Sequence, residues 1–380
     1  MPALSPTRGP QAVPAPTPVP SGPTPVPTRV SADALDLLTD LTAAGVLDLA
    51  AVTDVQMVHR RSAGYRITLQ DGRRWFAKRA QRRVDGTWSA DLTTEGANHR
   101  VALGLPGVRP LLPRLVHARH DILVTECIDD HRHLDDHRAA AGGTDPVAAA
   151  ALGSVVRRLH AAGRRATGAR PVNHAAAAVG TWLSPTPTLV AQHPAGFTEL
   201  TVRIRAAGLA APLTRLAAGW RSITFIHGDL KSDNLFLRAA DDDGHPAVRI
   251  IDWETAGLGD PRWDVGSLIG NHLFSWLAGL DFRQGQTLAD WLAGAEVPWP
   301  RVQDETRTLL WAYDAGPADD HPAPLDAAGI TTVGGYAAVF LLQRVTASAL
   351  TAPVLPPLAL AAVQVAAALL TTDAAVELLS

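Results

Sequence analysis

The chain has almost no cysteine: Cys127 is the only one in 380 residues. That excludes an internal disulfide framework and every CxxC metal or redox motif, and it suits a reducing cytoplasm. There is no basic excess either. The 34 Lys and Arg are outnumbered by 37 Asp and Glu, giving a formal charge of −3, so the clustered positive footprint of a nucleic-acid binder is missing. The fourteen histidines form no HExxH motif, and no dedicated zinc site is expected. Long apolar runs are also lacking. Beyond Thr331 only Arg344, Asp373 and Glu377 are charged, yet Arg344, Pro353, Pro356 and Pro357 interrupt the apolar stretches. The longest of these, Leu358 to Leu370, is shorter than the roughly 20 residues a membrane span needs, so buried C-terminal helices and no membrane partner are expected. The N-terminus has no apolar segment of the signal-peptide kind. From Met1 to about Thr28 it alternates Pro with Thr, Ala and Val, which predicts a solvated, polyproline-like tail over residues 1–30.

What remains is a globular composition, 47% hydrophobic and 19% charged, in a chain long enough for two lobes. A helix is expected to open at Ser31, with Leu35, Leu38 and Leu41 at helical spacing and Gly45 at its end. The period then changes to two. Val52 to His59 and Tyr65 to Leu69 read as strands, and Asp71-Gly72 is a two-residue hairpin signal because both positions tolerate positive φ. A third strand, Arg74 to Arg79, carries Lys78 among apolar neighbours. A short helix from near Leu92 carries Glu95, a Pro-rich connection follows, and Ile122 to Glu126 is a further strand. After Asp129 the pattern turns helical. Val147 to Ala162 sets Leu152, Val155, Val156 and Leu159 on one stripe, and a second helix is expected over Leu209 to Gly219. A short β-rich island interrupts: Phe225-Ile226, Leu235 to Leu237 and Val248 to Ile251, the last two joined by a turn at Asp241 to Gly244. The remainder is helical. The expectation is an α+β fold of two lobes, with residues 31–128 as a small sheet-plus-helix lobe and 129–380 as a mostly helical one.

The chemistry concentrates in the island. The run Phe225-Ile226-His227-Gly228-Asp229-Leu230-Lys231-Ser232-Asp233-Asn234 delivers Asp229 from an apolar strand into a tight loop, with Asn234 opening the next strand. The hairpin returns so that Asp252, in Ile251-Asp252-Trp253-Glu254, comes to lie beside Asn234. Two oxygen ligands brought together this way suit Mg²⁺, which takes one or two protein oxygens plus phosphate and water. Asp229 is then free to face an acceptor hydroxyl, the division of labour that phosphoryl transfer requires. A lysine on an apolar strand, such as Lys78, needs an anionic partner. Asp264 is expected to accept hydrogen bonds from the loop amides, and His227 to brace its backbone.

These two motifs, HGDxxxxN over 227–234 and DWE over 252–254, resemble those of the aminoglycoside phosphotransferase and choline kinase family, relatives of the protein kinases. The resemblance runs in order along the whole chain except the Pro-rich tail. It implies a two-lobed protein-kinase-like fold and a Mg²⁺-dependent phosphotransferase using ATP or GTP. Asp229 and Lys231 would be catalytic, and Asn234 and Asp252 would hold the metal. Lys78 would hold the α/β-phosphates and pair with Glu95. In the segment Thr125-Glu126-Cys127-Ile128 the backbone of Glu126 and Ile128 would bind the base. The phosphate-covering loop should fall at Arg60 to Tyr65, where Gly64 is the sole glycine, so Ser62 and backbone amides are expected to serve, with Arg60 or Arg61 adding positive charge. Lys231 stands where the small-molecule kinases often have His. The acceptor is either a hydroxylated small molecule of aminoglycoside or macrolide type, or a Ser/Thr of a precursor peptide with a partner lyase, as in lanthipeptide-type biosynthesis. Lys231 and the polar insertion Gln81 to Thr94 lean toward the peptide. A catalytically inactive kinase-like scaffold is the alternative of another class.

Overall fold

The computed structural model describes residues 31–59, 63–80, 91–192, 195–238, 246–283, 287–315, 325–370 and 376–377. The Pro-rich tail, Ser62 with Arg60 and Arg61, most of the 81–94 insertion and the 241–244 turn lie outside them.

The chain opens with α1 (Ala32–Ala43), capped by Ser31 Oγ, which accepts from the Ala34 amide, and ended by Gly45 at φ +67°. Its buried stripe is Ala34, Leu37, Leu38 and Leu41, whereas Leu35 is 53% exposed. The buried face therefore runs through Leu37 and Leu41, against the sheet, and leaves Leu35 outside. Strands β1 (Val52–His59), β2 (Ala63–Leu69), β3 (Arg74–Arg79), β4 (Leu115–Ala118) and β5 (Ile122–Glu126) form an antiparallel sheet of order β1-β2-β3-β5-β4. Tyr65, Ile67, Trp75, Ala77, Ile122 and Val124 make one face and close a core with α1. The β2–β3 turn is wider than two residues. Gly72 alone takes positive φ, since among the described residues only Asp252 does so without being glycine. Strand β4, inside the Pro-rich connection, was not expected. It is short and half-buried, and so gives little periodic signal. Helix α2 (Thr93–Gly104) packs against β4 and the turn Trp253–Thr255.

The larger lobe begins with β6 (Arg132–His133) and α3 (Leu134–Ala140), then α4 (Pro146–Gly163), α5 (His174–Leu183), α6 (Pro187–Gln192), α7 (Gly196–Ala206) and α8 (Ala210–Ala218). The β-rich island supplies β7 (Thr224–Ile226), β8 (Leu235–Arg238), β9 (Ala247–Ile250) and β10 (Gly257–Gly259). With β6 these form two small sheets, β6-β8-β9 and β7-β10. Helices α9 (Pro261–Ala278), α10 (Leu288–Ala293), α11 (Trp299–Asp314), α12 (Ala327–Ala349) and α13 (Pro357–Leu369) complete it. The main pairings are α9 with α12, α4 with α11 and α12 with α13, which buries the apolar C-terminal stretch inside this lobe. Among the described residues, no helix is long and apolar enough to cross a membrane.

Candidate active site

Strand alternation aims the first functional group. Trp75 and Ala77 turn to the α1 core, so Lys78 points to the opposite face of β3, toward the other lobe. Its ammonium lies 2.8 Å from Glu95 Oε2 and 2.6 Å from Asp252 Oδ1. One cation therefore ties a strand of the small lobe, the first turn of α2 and the loop after β9. Burial opposes the Lys78 charge, but the Glu95 and Asp252 carboxylates outweigh it and hold its pKa above the lysine range. For Glu95 burial wins: despite Lys78, its pKa is pushed up to about 7. Asp252 is held low, since Lys78, His227 and Lys231 together overcome its burial.

The hairpin brings the remaining groups alongside. Leu235 of β8 pairs with Ile250 of β9, and the Ile251 amide donates to Asn234 O at 3.1 Å, so Asp252 follows directly beside Asn234. Asp252 sits at φ 67°, ψ 62°, a left-handed conformation that an L-residue with a Cβ adopts at a cost of about 1–2 kcal/mol. In the loop after β7, Asn234 Nδ2 donates to the Asp229 carbonyl at 2.9 Å and to its Oδ2 at 3.2 Å. Lys231 Nζ pairs with the same Oδ2 at 2.5 Å. The amide group of Asn234 is thereby oriented with its nitrogen on Asp229.

The loop carrying Asp229 is held from several sides. Asp264, in the first turn of α9, accepts the His227 and Gly228 amides, each at 2.8 Å, as expected. His227 Nδ1 accepts the Asp229 amide at 3.3 Å, which leaves Nε2 as donor to Ile251 O at 2.9 Å, so this ring braces backbone. Thr255 Oγ1 donates to His227 O at 3.1 Å, and Trp263 Nε1 to Gly228 O at 2.8 Å. Gly228 has φ +85°, and a Cβ there would meet His174 Nε2 at 2.5 Å and Thr255 O at 2.7 Å. No other residue fits that position unstrained.

Six of the residues expected from sequence to serve catalysis, nucleotide or metal, Lys78, Glu95, Asp229, Lys231, Asn234 and Asp252, are thus brought to one region. Glu126 and Ile128 lie at the end of β5. The Glu126 amide donates to Arg114 O and that of Cys127 to Arg74 O, both at 2.9 Å, while the Glu126 carboxylate pairs with Arg114 at 2.7 Å. Between them the Cys127 thiol is pushed up to about 11 by burial and by Asp129, an inert group. Ser62 lies outside the described residues.

One participant was not foreseen, and a second was named only within its motif. Asn98, one turn after Glu95 on α2, donates its amide to Trp253 O at 2.9 Å and Ala256 O at 2.8 Å, fastening the helix to the loop that follows Asp252. Its three-residue spacing from Glu95 was a readable signal. Glu254, inside the second motif, has a carboxylate oxygen within 4.8 Å of oxygens on both Glu95 and Asp252. Burial and Asp252 raise its pKa.

The sequence model of the phosphotransferase enzyme family matches residues 59–297. No curated protein matches the chain. Among solved structures, ethanolamine kinase of Plasmodium vivax aligns at a TM-score of 0.54 and 9% identity, covering 88% of this chain and 89% of that one. Choline kinase of Cryptosporidium parvum Iowa II aligns at 0.54 and 9% identity, covering 90% and 95%. At such identities the likeness is one of fold, and the fold is the α+β kinase-like one expected from sequence.

Proposed function

The chain belongs to the phosphotransferase enzyme family, and from that premise we propose that it moves the γ-phosphate of ATP or GTP to an acceptor hydroxyl. The observation that carries the reading is the convergence of groups from both lobes: Lys78 within 2.8 Å of Glu95 and Asp252, beside the Asp229–Lys231–Asn234 cluster.

In this reading Asp229 orients the acceptor hydroxyl and takes its proton as the new oxygen–phosphorus bond forms and the β–γ bridging bond breaks. Lys231 pairs with Asp229, and its ammonium is near enough to neutralise charge growing on the transferred group. Lys78, steadied by Glu95, takes the α/β-phosphates. The donor set also fits a hard divalent cation: the Asp252 carboxylate, with the Asn234 amide whose nitrogen is already engaged, offers two oxygens from adjacent strand ends. Asn234 and Asp252 would hold Mg²⁺, which would supply positive charge to offset that of the phosphates. Asp264 and His227 act on the backbone and fix where Asp229 points.

The acceptor is proposed as a hydroxyl-bearing molecule, and nothing among the described residues of the site favours a peptide. Lys231, one of two features that leaned that way, is committed to Asp229, and the other lies mostly outside the described residues. The test is transfer from γ-labelled ATP and GTP with Mg²⁺ to a panel of hydroxylated amines, aminoglycosides, macrolides and Ser/Thr peptides. Label should pass to one class in the parent and to none in Asp229→Asn. Nucleotide binding without release of γ-phosphate to any acceptor, water included, would instead establish an inactive scaffold.

A further inference from the structure

Asp264 carries the loop of Asp229, and something must carry Asp264. Its Oδ2, besides accepting the His227 amide, lies 3.0 Å from His160 Nε2, and His160 Nδ1 lies 3.0 Å from the hydroxyl of Tyr313. All three side chains are fully buried. Asp264, though burial works against its charge, is held below the carboxylate range by His160 and by His227. An ionised carboxylate only accepts, so His160 Nε2 donates to it, and Nδ1 is the ring atom that meets the Tyr313 hydroxyl. The Tyr313 phenol is raised well above its ordinary value by burial and by Asp264 and Asp260, so it keeps its proton. The chain runs from phenol through imidazole to carboxylate, with the loop amides on the carboxylate's other lone pairs.

The approach of two helices sets this alignment. A Cβ at Gly153 of α4 would lie 2.3 Å from Leu309 O and 2.9 Å from the Tyr313 amide of α11, so the two backbones touch there. His160 stands two turns further along α4 on the same face. Thr224 Oγ1 donates to the His160 carbonyl at 2.6 Å, tying that end of α4 to β7, from which the catalytic loop leaves. Tyr313 lies beyond residue 297, where the family match ends, so this support comes from a part of the chain outside the matched span.

We propose that Tyr313 is a positioning residue: acting through His160, it fixes the Asp264 carboxylate that holds the His227–Gly228 backbone and thereby aims Asp229. Its link to turnover rests on the phosphotransfer reading of Asp229, while its link to the loop does not. Trp263 and Thr255 hold the same loop independently, so losing the phenol loosens the aim without dismantling the fold.

The experiment compares the parent with Tyr313→Phe, His160→Gln and the double variant. Amide hydrogen exchange is read at His227 to Leu230, and γ-phosphate release from Mg²⁺-ATP is followed with water as acceptor. Tyr313→Phe keeps the ring volume but leaves a buried imidazole nitrogen without its partner, so exchange in the loop should quicken about ten-fold and kcat fall about ten-fold. KM for nucleotide should stay unchanged. In the His160→Gln background the Phe substitution should add nothing. Unchanged exchange in Tyr313→Phe, or the same increment in both backgrounds, overturns the proposal. If the amides respond as expected but the parent passes γ-phosphate from neither ATP nor GTP to any acceptor of the panel, water included, the positioning chain stands and the phosphotransfer reading falls.

Discussion

Lys78→Met tests whether three charges share one site. In the parent the ammonium sits between Glu95 and Asp252, with side-chain exposures of 16%, 5% and 23%. Methionine fills much the same volume, but it leaves two carboxylates whose oxygens lie within 4.8 Å of each other, with Glu254 as near. Removing one partner of a buried ion pair typically costs about 3–5 kcal/mol, and the partial exposure of Asp252 places this case at about 3 kcal/mol. For a chain of this size that lowers the midpoint by about 4 °C. The sign of the pH dependence is informative. Glu95 already has a folded pKa raised to about 7, so its stabilising protonated form is lost as pH rises from the ordinary carboxylate range through that value. Without the ammonium, Asp252 joins it, and both carboxylates favour their protonated forms in the folded state. The stability gap between variant and parent should therefore widen from pH 5 to pH 8, as read by urea unfolding at each pH. Lys78→Met combined with Glu95→Gln should recover part of the loss. A variant as stable as the parent at pH 8, or a gap that does not change with pH, would refute the reasoning.

Three further outcomes follow from the same geometry. Asp229→Asn should reduce γ-phosphate transfer by about 10²–10⁴-fold while leaving nucleotide affinity, measured by calorimetry, within about two-fold. Gly228→Ala places a Cβ 2.5 Å from His174 Nε2 at φ +85°, so the thermal midpoint should fall and turnover with it, whereas Gly219→Ala, with nothing nearer than 3.4 Å, should change neither activity nor nucleotide binding. Asn98→Leu strips two buried carbonyls of their donor, a loss of about 1–3 kcal/mol, and should raise hydrogen exchange in the segment after Asp252 more than in the β-sheet of the small lobe.

Much of this was legible in the chain, for identifiable reasons. Asp229, Asn234 and Asp252 are set by local rules: a strand delivers a loop, and a hairpin register returns the third residue beside the second. Spacing along the sequence therefore encodes proximity in space. Lys78 was legible because a charge among alternating apolar residues has to be answered. What sequence hid were tertiary partnerships without period. Strand β4 lies half-buried in a Pro-rich stretch, and the α1 stripe turned on Leu37 because the sheet it covers, and not its own spacing, selected the face. His160 and Tyr313 read as ordinary helix residues, 153 positions apart, and only the close passage of α4 and α11 at Gly153 joins them. The β2–β3 turn failed for a subtler reason: Asp71-Gly72 fits several turn types, and positive φ is needed only at the glycine.

In the proposed function the two lobes share a metal–triphosphate, with Lys78 on the phosphates and Asn234 and Asp252 on the metal. Calorimetric titration with non-hydrolysable ATP and GTP analogues, with and without Mg²⁺, tests it most directly. Binding of at least one analogue should require Mg²⁺ in the parent and be lost in Asp252→Ala. Equal affinity without the metal, or undiminished affinity in that variant, would contradict it.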